Sequence, residues 1–512
     1  MSTLLFDSIA ENALDVMENT QKHIFLTWKA GTGKSTLLLH FLSITSKNIA
    51  ILAPTWVAAL NIWWATIHSF FWFPPTVTIK KAKQEAKFQI GDEKFTQLDA
   101  LIIDEISMVR ADMIDCIHEF LKTVRSCAKP FGGVQLIMIG DLYQLPPVVT
   151  SHERLFFTKE YPSPYFFDAK VMKQKAFGME FIELEKVYRQ SDQTFISILN
   201  AIRTKTIDEK HLALLNRRVH TDLKITDGMV YLAWTNARVD SINAEYLDEV
   251  KAPSITFNAY TKWEMQARQL PTDLKLLLKK WAQVMFIAND PDGRRVNGTL
   301  WKIVLLKKDR ILVQIYGWAE VEVAPYTWKV SQYEYNPSKK RLDVFTVGSF
   351  TQIPLTLAWA VTIHKSQWKT FDKVIIDLSS GIFAHGQTYV ALSRCRNLEW
   401  IVLTTKVHLE HVRLDYNVVK FVTQIQYNKS EALLSLKKKI ELLNHVIIHK
   451  WCTQMTYLRS KDIKSRRIFE PYEVGDMEHE GIWFIWVKGY CHTSKQEKIF
   501  RVDRILELKK ID

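Results

Sequence analysis

Glycine is scarce in this chain. There are 17 in 512 residues, matched one for one by 17 tryptophans, where glycine ordinarily makes up roughly 7% of a protein. Collagen-like repeats and Gly-rich linkers are thereby excluded. Cysteine is scarcer still. Cys116, Cys127, Cys395, Cys452 and Cys491 are scattered, without metal-binding or disulfide spacing, which argues against a secreted disulfide scaffold and for a reducing cytoplasm. No apolar run is long enough to cross a bilayer, and Met1 to Thr20 carries acids rather than a signal-peptide pattern. No membrane partner is expected. Acidic residues are in deficit too: 68 Lys and Arg stand against 55 Asp and Glu, a net charge of +13. That balance suits a polyanionic partner without identifying one. What remains is a globular composition, 47% hydrophobic and 24% charged, in a length that accommodates several domains.

The most informative stretch is Thr27-Trp28-Lys29-Ala30-Gly31-Thr32-Gly33-Lys34-Ser35-Thr36. An apolar, strand-like run from His23 to Leu26 precedes it, and Leu37-Leu38-Leu39 reads as the start of a helix. Strand, small-residue loop, Lys-Ser and helix make the phosphate cradle of a nucleoside-triphosphate site. Backbone N–H groups of Ala30, Gly31, Thr32 and Gly33, continuing through Lys34, Ser35 and Thr36, face the phosphates. Lys34 reaches the β- and γ-phosphates, and the Ser35 hydroxyl holds Mg²⁺. ATP and Mg²⁺ are therefore the expected ligands. The pattern asks for glycine at the first loop position, where this chain has Trp28.

That mismatch is not isolated. Trp56 follows Ala53-Pro54-Thr55, Trp63 and Trp64 stand in tandem, and Trp368 follows His364-Lys365-Ser366-Gln367, all where the backbone calls for glycine. A bulky side chain at positive φ is strained, and beside a phosphate it also crowds the ligand. Were every Trp except Trp328 and Trp359 glycine, the glycine share would rise to about 6%, near the usual level. Our hypothesis is that a codon read as glycine in the source organism is rendered here as tryptophan. Sequencing the gene tests it, because ordinary tryptophan codons at these positions would refute it.

Ile49 to Ala53 is a short apolar strand ending in Pro54-Thr55, and Thr66-Ile67-His68-Ser69-Phe70-Phe71 lies beyond it. Thr55, His68 and Phe70, beside an ATP site, suit a grip on a single nucleic-acid strand through phosphate contact and base stacking. The competing account is aromatic packing in a domain core, and for Phe71 alone it is the better one. Residues 72–97 turn polar and lysine-bearing after Pro74-Pro75 and read as a small insertion. Leu101-Ile102-Ile103-Asp104-Glu105 reads as a buried parallel strand ending in two acids. Asp104 is placed to hold Mg²⁺ and Glu105 to polarise the attacking water. A further strand, Val134 to Ile139, ends in Gly140-Asp141-Leu142-Tyr143-Gln144. Gln144 is either a sensor of the γ-phosphate or part of a plain strand-to-turn junction.

The stretches AGTGKST, APTWVAALNIWWATIHSFF, LIIDEISM and GDLYQLPPV resemble motifs of superfamily-one helicases of the PIF type, related to RecD. LEKVYRQ (184–190), TNARVDSIN (235–243), LAWAVTIHKSQWKTFDKV (357–374) and GQTYVALSRCRNLEW (386–400) continue the series in the family's order. In that family glycine stands where this chain has Trp28, Trp56, Trp63, Trp64, Trp368 and Trp400. The resemblance implies an α/β fold of two RecA-like P-loop domains with small inserted β domains. Domain one would be residues 1–178, with the insertion at about 72–97, and domain two residues 179–250 and 350–425. An SH3-like β domain would occupy 251–349. Arg189 and Arg394 match the family's arginine fingers. Thr362, His364, Lys365 and Ser366 match the motif that touches the DNA backbone.

From about Glu431 the character changes, and residues 431–512 resemble a WYL domain, a small β-barrel. That resemblance implies a nucleotide or nucleic-acid ligand. Arg466, Arg467, Tyr490, Arg501 and Arg504 suit phosphate pairing with base stacking, or else a solvated face. Together the resemblances imply an ATP-dependent DNA helicase moving 5′ to 3′ on single-stranded and forked DNA, as a monomer in the cytoplasm. An RNA-preferring helicase and a WYL-controlled nucleic-acid-binding regulator are the alternatives.

Overall fold

Apolar runs without polar alternation become parallel strands covered on both faces. In a computed structural model the first lobe is built from β1 (His23–Trp28), β2 (Ile49–Ala53), β3 (Ala65–Thr66), β4 (Ala100–Ile103), β5 (Gln135–Ile139) and β6 (Met179–Leu184). They form one sheet in the order β3-β2-β4-β5-β1-β6, with every pairing parallel. The structure describes all residues except 1–5, 29–33, 56–64, 152, 185–191, 221–224, 263–269, 289–297, 315–319, 368, 380, 383, 460–461, 480 and 512, and not the side chains of Lys34, Ser35, Val330, His479 and Ile482.

Side chains along β1 alternate between two packed layers, as a strand's period of two requires. Ile24 and Leu26 share a core with Leu14 and Met17 of helix Ser8–Asn19 and with Leu37 and Phe41 of helix Lys34–Ile44. Phe25 turns the other way, against Phe166 and Phe181. The Asp7 carboxylate accepts the Ala10 N–H at 2.9 Å and caps the first helix. β6 lies beside β1 over its full length, with Met179 to Leu184 opposite His23 to Trp28. The first lobe therefore extends past residue 178 and uses this strand as its edge. Residues 72–97 carry helices Ile79–Phe88 and Glu93–Thr96. Phe95 packs there among Phe70, Phe71 and Phe120.

The second lobe has its own parallel sheet. β7 (Met229–Ala233), β18 (Ala360–Thr362), β19 (Lys373–Ile376) and β20 (Ile401–Leu403) pair in the order β18-β7-β19-β20. Among the described residues, ten strands intervene between β7 and β18. β8 (Ser254–Asn258) and β10 (Lys275–Lys279) form a ribbon. β11 (Gln283–Phe286), β12 (Leu300–Leu306), β13 (Ile311–Gln314), β14 (Glu320–Glu322) and β17 (Leu355–Leu357) make an antiparallel sheet. β9 (Tyr260–Thr261) joins the long hairpin of β15 (Tyr326–Asn336) and β16 (Arg341–Gln352). The inserted segment is thus three small sheets, and β17 carries it beyond residue 349. One of these sheets shares a core with the second lobe through Val284, Trp301, Tyr231 and Ile375. The hairpin reaches the first lobe, where the Tyr333 hydroxyl accepts the Ile51 N–H at 3.1 Å.

Residues 414–512, together with 204–206, make a second compact unit. Helices Tyr416–Leu433 and Leu436–His449 precede β21 (Cys452–Arg459), β22 (Ile463–His479), β23 (Ile482–Cys491), β24 (Gln496–Arg501) and β25 (Ile505–Ile511). The sheet is antiparallel in the order β24-β23-β22-β21-β25. The expected barrel is not seen: β24 and β25 are its edges, and no pairing joins them among the described residues. Leu443, Met455, Phe469, Val487 and Phe500 form its core.

Among the described residues, two tryptophans adopt left-handed backbone conformations, which favour glycine. Trp72 (φ 54°) follows helix Ile67–Phe71, and Trp281 has φ 73°. Trp28, by contrast, ends β1 in extended structure and is buried. Trp56, Trp63, Trp64 and Trp368 lie outside the described residues.

Candidate functional site

The expected phosphate loop falls between β1 and the helix Lys34–Ile44. Ala30, Gly31, Thr32 and Gly33 lie outside the described residues, and helix Lys34–Ile44 begins immediately after them, with Thr36 exposed. The neighbouring strands deliver acids to the same end of the sheet. Asp104, just past the tip of β4, is fully buried and its N–H reaches the Leu52 carbonyl at 2.9 Å. Glu105 follows at φ 49°, a left-handed conformation for a non-glycine residue, and is 3% exposed. Such a conformation costs about 1–3 kcal/mol and persists where the surroundings impose it, often at working sites. Asp104 and Glu105 offer oxygen donors, and with a serine hydroxyl they are the donor type that a hard divalent cation takes.

β5 ends in the loop of Gln144. Gly140 is needed there, since a Cβ would lie 2.9 Å from Ile106 Cγ2 and 3.1 Å from its backbone nitrogen. The buried Asp141 carboxylate accepts the Tyr143 N–H at 3.0 Å and the Gln144 side-chain N–H at 3.4 Å. Arg203 Nη2 donates to Asp141 at 3.3 Å, with its guanidinium 4.0 Å from the Tyr143 ring centre. Burial opposes the charge of Arg203, but the carboxylate of Asp141 outweighs it and holds the guanidinium protonated.

The second lobe closes on this loop. Gln367 Nε2 donates to Glu105 Oε2 at 3.0 Å and to Gln144 Oε1 at 3.2 Å, so one amide ties both residues together. Gly386 (φ 75°) sits so close to the loop that a Cβ would lie 2.1 Å from the Gln144 carbonyl oxygen. His385 bridges as well, with Nε2 3.0 Å from the Leu142 carbonyl and Nδ1 3.0 Å from the Tyr165 hydroxyl. Arg394 is buried. Its Nε donates to the Val390 carbonyl at 2.9 Å, its Nη2 to Ser393 Oγ at 2.7 Å, and its Nη1 to the Gln367 carbonyl. It thus stands one residue back from the acids and braces the Gln367 backbone. Arg189 lies outside the described residues.

The expected nucleic-acid residues divide. His364 and Lys365 are exposed, whereas Thr362 and Ser366 are buried. Thr362 Oγ1 accepts the Lys365 N–H at 3.3 Å, and Ser366 Oγ donates to the Ile363 carbonyl at 2.8 Å. The two hydroxyls shape this turn, and Ser366 does not present its hydroxyl to a ligand. Thr55 is exposed and His68 half-buried. Phe70 corrects the stacking expectation. It is 2% exposed, and its ring meets Phe71 at 4.8 Å and Tyr333 at 5.5 Å. The core-packing account holds for Phe70 because its helix turns that face inward.

Gln367, Arg203 and Gly386 went unnoticed in the sequence. Gln367 and Gly386 lie within motif-bearing stretches, which was the available signal. Arg203 had none.

Two parallel α/β lobes, meeting where an acid-tipped strand and a glutamine loop adjoin a strand–loop–helix crossing, are the build of a RecA-like P-loop nucleotide-binding protein. The profile of the PIF1-like helicases matches residues 4–212, and that of the WYL domain residues 438–510. The ATP-dependent DNA helicase Pif1 of Bdellovibrio bacteriovorus is 31% identical over 403 residues, spanning 77% of this chain and 86% of that protein. The crystal structure of Bacteroides sp Pif1 in complex with ADP-AlF4 superposes with a TM-score of 0.73 at 34% identity, covering 83% of this chain and 98% of that one. Bacteroides Pif1 bound to ssDNA gives 0.59 at 34%, covering 82% and 96%. The chain belongs to the PIF1-like helicase family.

Proposed function

We propose that this chain is an ATP-driven DNA helicase that moves 5′ to 3′ along single-stranded DNA and opens forked duplex. The observation that carries this reading is the bridge from Gln367 to Glu105 and Gln144. Gln367 directly follows the turn bearing His364 and Lys365. A change at the nucleotide is thereby one residue away from a change at the nucleic-acid turn.

In this mechanism Lys34 positions the phosphates, and Glu105, fixed at the strand tip, takes a proton from the attacking water. Ser35 and Asp104 would hold Mg²⁺, which supplies charge neutralisation at the phosphates when bound. Gln144 reads the γ-phosphate and Arg189 serves it from the second lobe, while Arg394 braces the Gln367 backbone behind them. Nucleotide binding closes the lobes and hydrolysis releases them. Alternate grips by Thr55 and His68 on one lobe and by His364 and Lys365 on the other turn each cycle into a step. The WYL domain contributes a nucleotide or nucleic-acid contact.

The test is strand separation on duplexes with either a 5′ or a 3′ single-stranded tail. It uses the chain with glycine restored at 28, 56, 63, 64, 368 and 400, beside the chain as written. Opening of the 5′-tailed DNA alone is expected from the restored chain. Failure on both DNA substrates, with opening of tailed RNA, would overturn the proposal.

A further inference from the structure

At one end of the C-terminal sheet, three strands gather side chains that are far apart in sequence. Cys452 opens β21, and Glu470 lies in β22 one step beyond the Thr453–Phe469 pair. His492 follows Cys491, which pairs with Phe469 from the other side. Cys452 Sγ lies 3.7 Å from His492 Nε2, and that nitrogen lies 3.4 Å from Glu470 Oε2. All three donor atoms fall within 4.8 Å of one another.

Both contacts converge on the same ring nitrogen. A nucleophile–base–acid relay uses the two opposite nitrogens of an imidazole, so this trio is no such relay. Through Nε2, hydrogen bonding can join only one pair at a time: protonated, the nitrogen donates to the carboxylate, and unprotonated, it accepts the thiol S–H. Three donor atoms, each with a lone pair, within 4.8 Å of one another suit a cation. Zinc takes thiolate sulfur at about 2.3 Å and imidazole nitrogen or carboxylate oxygen at about 2.0–2.2 Å, in tetrahedral geometry. Those lengths place sulfur and nitrogen about 3.6 Å apart, and nitrogen and oxygen about 3.4 Å apart. The observed separations of 3.7 and 3.4 Å match.

We propose that Cys452, Glu470 and His492 form a zinc-binding site. A thiolate and a carboxylate neutralise the ion, and a fourth position stays open to water or an external donor. The surroundings support the ligands. The Tyr490 ring meets His492 edge-on at 5.1 Å, and the backbone N–H of His492 donates to the Ile468 carbonyl at 3.0 Å, which fixes the residue's place at the strand end. Cys452 and Glu470 are half-buried and His492 is exposed, so an ion can enter from solvent.

The experiment titrates the full-length chain, stripped by chelator, with Co²⁺ and then displaces it with Zn²⁺. One equivalent of Co²⁺ should give a near-ultraviolet thiolate charge-transfer band, with visible bands of four-coordinate geometry. The nucleotide site offers oxygen donors and cannot give that band. Cys452→Ser should abolish it. His492→Gln and Glu470→Gln should each weaken binding at least about tenfold. The proposal is overturned by a parent chain without the band, by a band that survives Cys452→Ser, or by unchanged affinity in His492→Gln. The histidine variant sits at an exposed position and decides the matter even where the cysteine variant fails to fold.

Discussion

Replacing Gln367 with leucine keeps the volume and removes both arms of the bridge. The lost contacts are a 3.0 Å bond to the Glu105 carboxylate and a 3.2 Å bond to the Gln144 amide. A hydrogen bond to a charged group contributes about 1.5–3 kcal/mol and a neutral one about 0.5–1.5 kcal/mol. Each 1.4 kcal/mol or so corresponds to a factor of ten in rate. If the bridge transmits the DNA signal to the water-activating residue, losing both bonds, about 2–4.5 kcal/mol together, should lower DNA-stimulated ATP turnover of Gln367→Leu roughly thirty- to a thousandfold. The loss should be smaller without DNA. Steady-state turnover of the glycine-restored chain, with and without a single-stranded oligonucleotide, measures this directly. Equal losses in both conditions would show that Gln367 only holds Glu105 in place. An unchanged stimulated rate would refute the coupling altogether.

Other outcomes follow from the same geometry. Lys34→Ala in the glycine-restored chain should abolish ATP hydrolysis, and full DNA-stimulated turnover would remove the loop from its role. Glu105→Gln should still bind nucleotide and single-stranded DNA in a filter or anisotropy assay while turnover stalls. His23 is buried, accepts the Leu136 N–H at 3.0 Å on Nδ1, and burial pushes its pKa down to about 4. The unfolded chain therefore takes up this proton first, so the stability contributed by neutral His23 is present above about pH 6.5 and is lost as pH falls toward 4. The lost stability is about 3 kcal/mol, and His23→Asn should flatten that part of the unfolding profile measured by denaturant titration. Trp281→Gly relieves a left-handed tryptophan that is 48% exposed, and strain relief of about 1–2 kcal/mol should offset the contacts it gives up. Trp328→Gly, at a position 4% exposed and packed on Phe350, should cost about 3 kcal/mol or more. Thermal melts compare the two, and equal losses would count against Trp281 standing at a glycine position.

Local pattern carries local chemistry. The apolar runs at 23–28, 100–103 and 135–139 have no polar alternation, and strands covered on both faces are what such runs become. The acids after β4, the crossing into helix Lys34–Ile44 and the order of the motifs were all legible, because each depends on neighbours within a few residues. The bounds of the lobes were less so. β6 joins the first sheet through pairing with β1, a partner more than a hundred residues away.

What the chain's sequence determined alone was the kind of site: a phosphate loop, an acid-tipped strand and a second motif-bearing lobe. Only the tertiary structure decided which way side chains face and which distant residues meet. Phe70 turns into an aromatic core, Ser366 bonds its own turn, and Gln367 reaches across to Glu105. Cysteines with no metal spacing in sequence include one that sheet register sets beside Glu470 and His492. The physical reason is that periodicity reports burial along a single element, whereas contacts between elements depend on register and packing that no short stretch encodes.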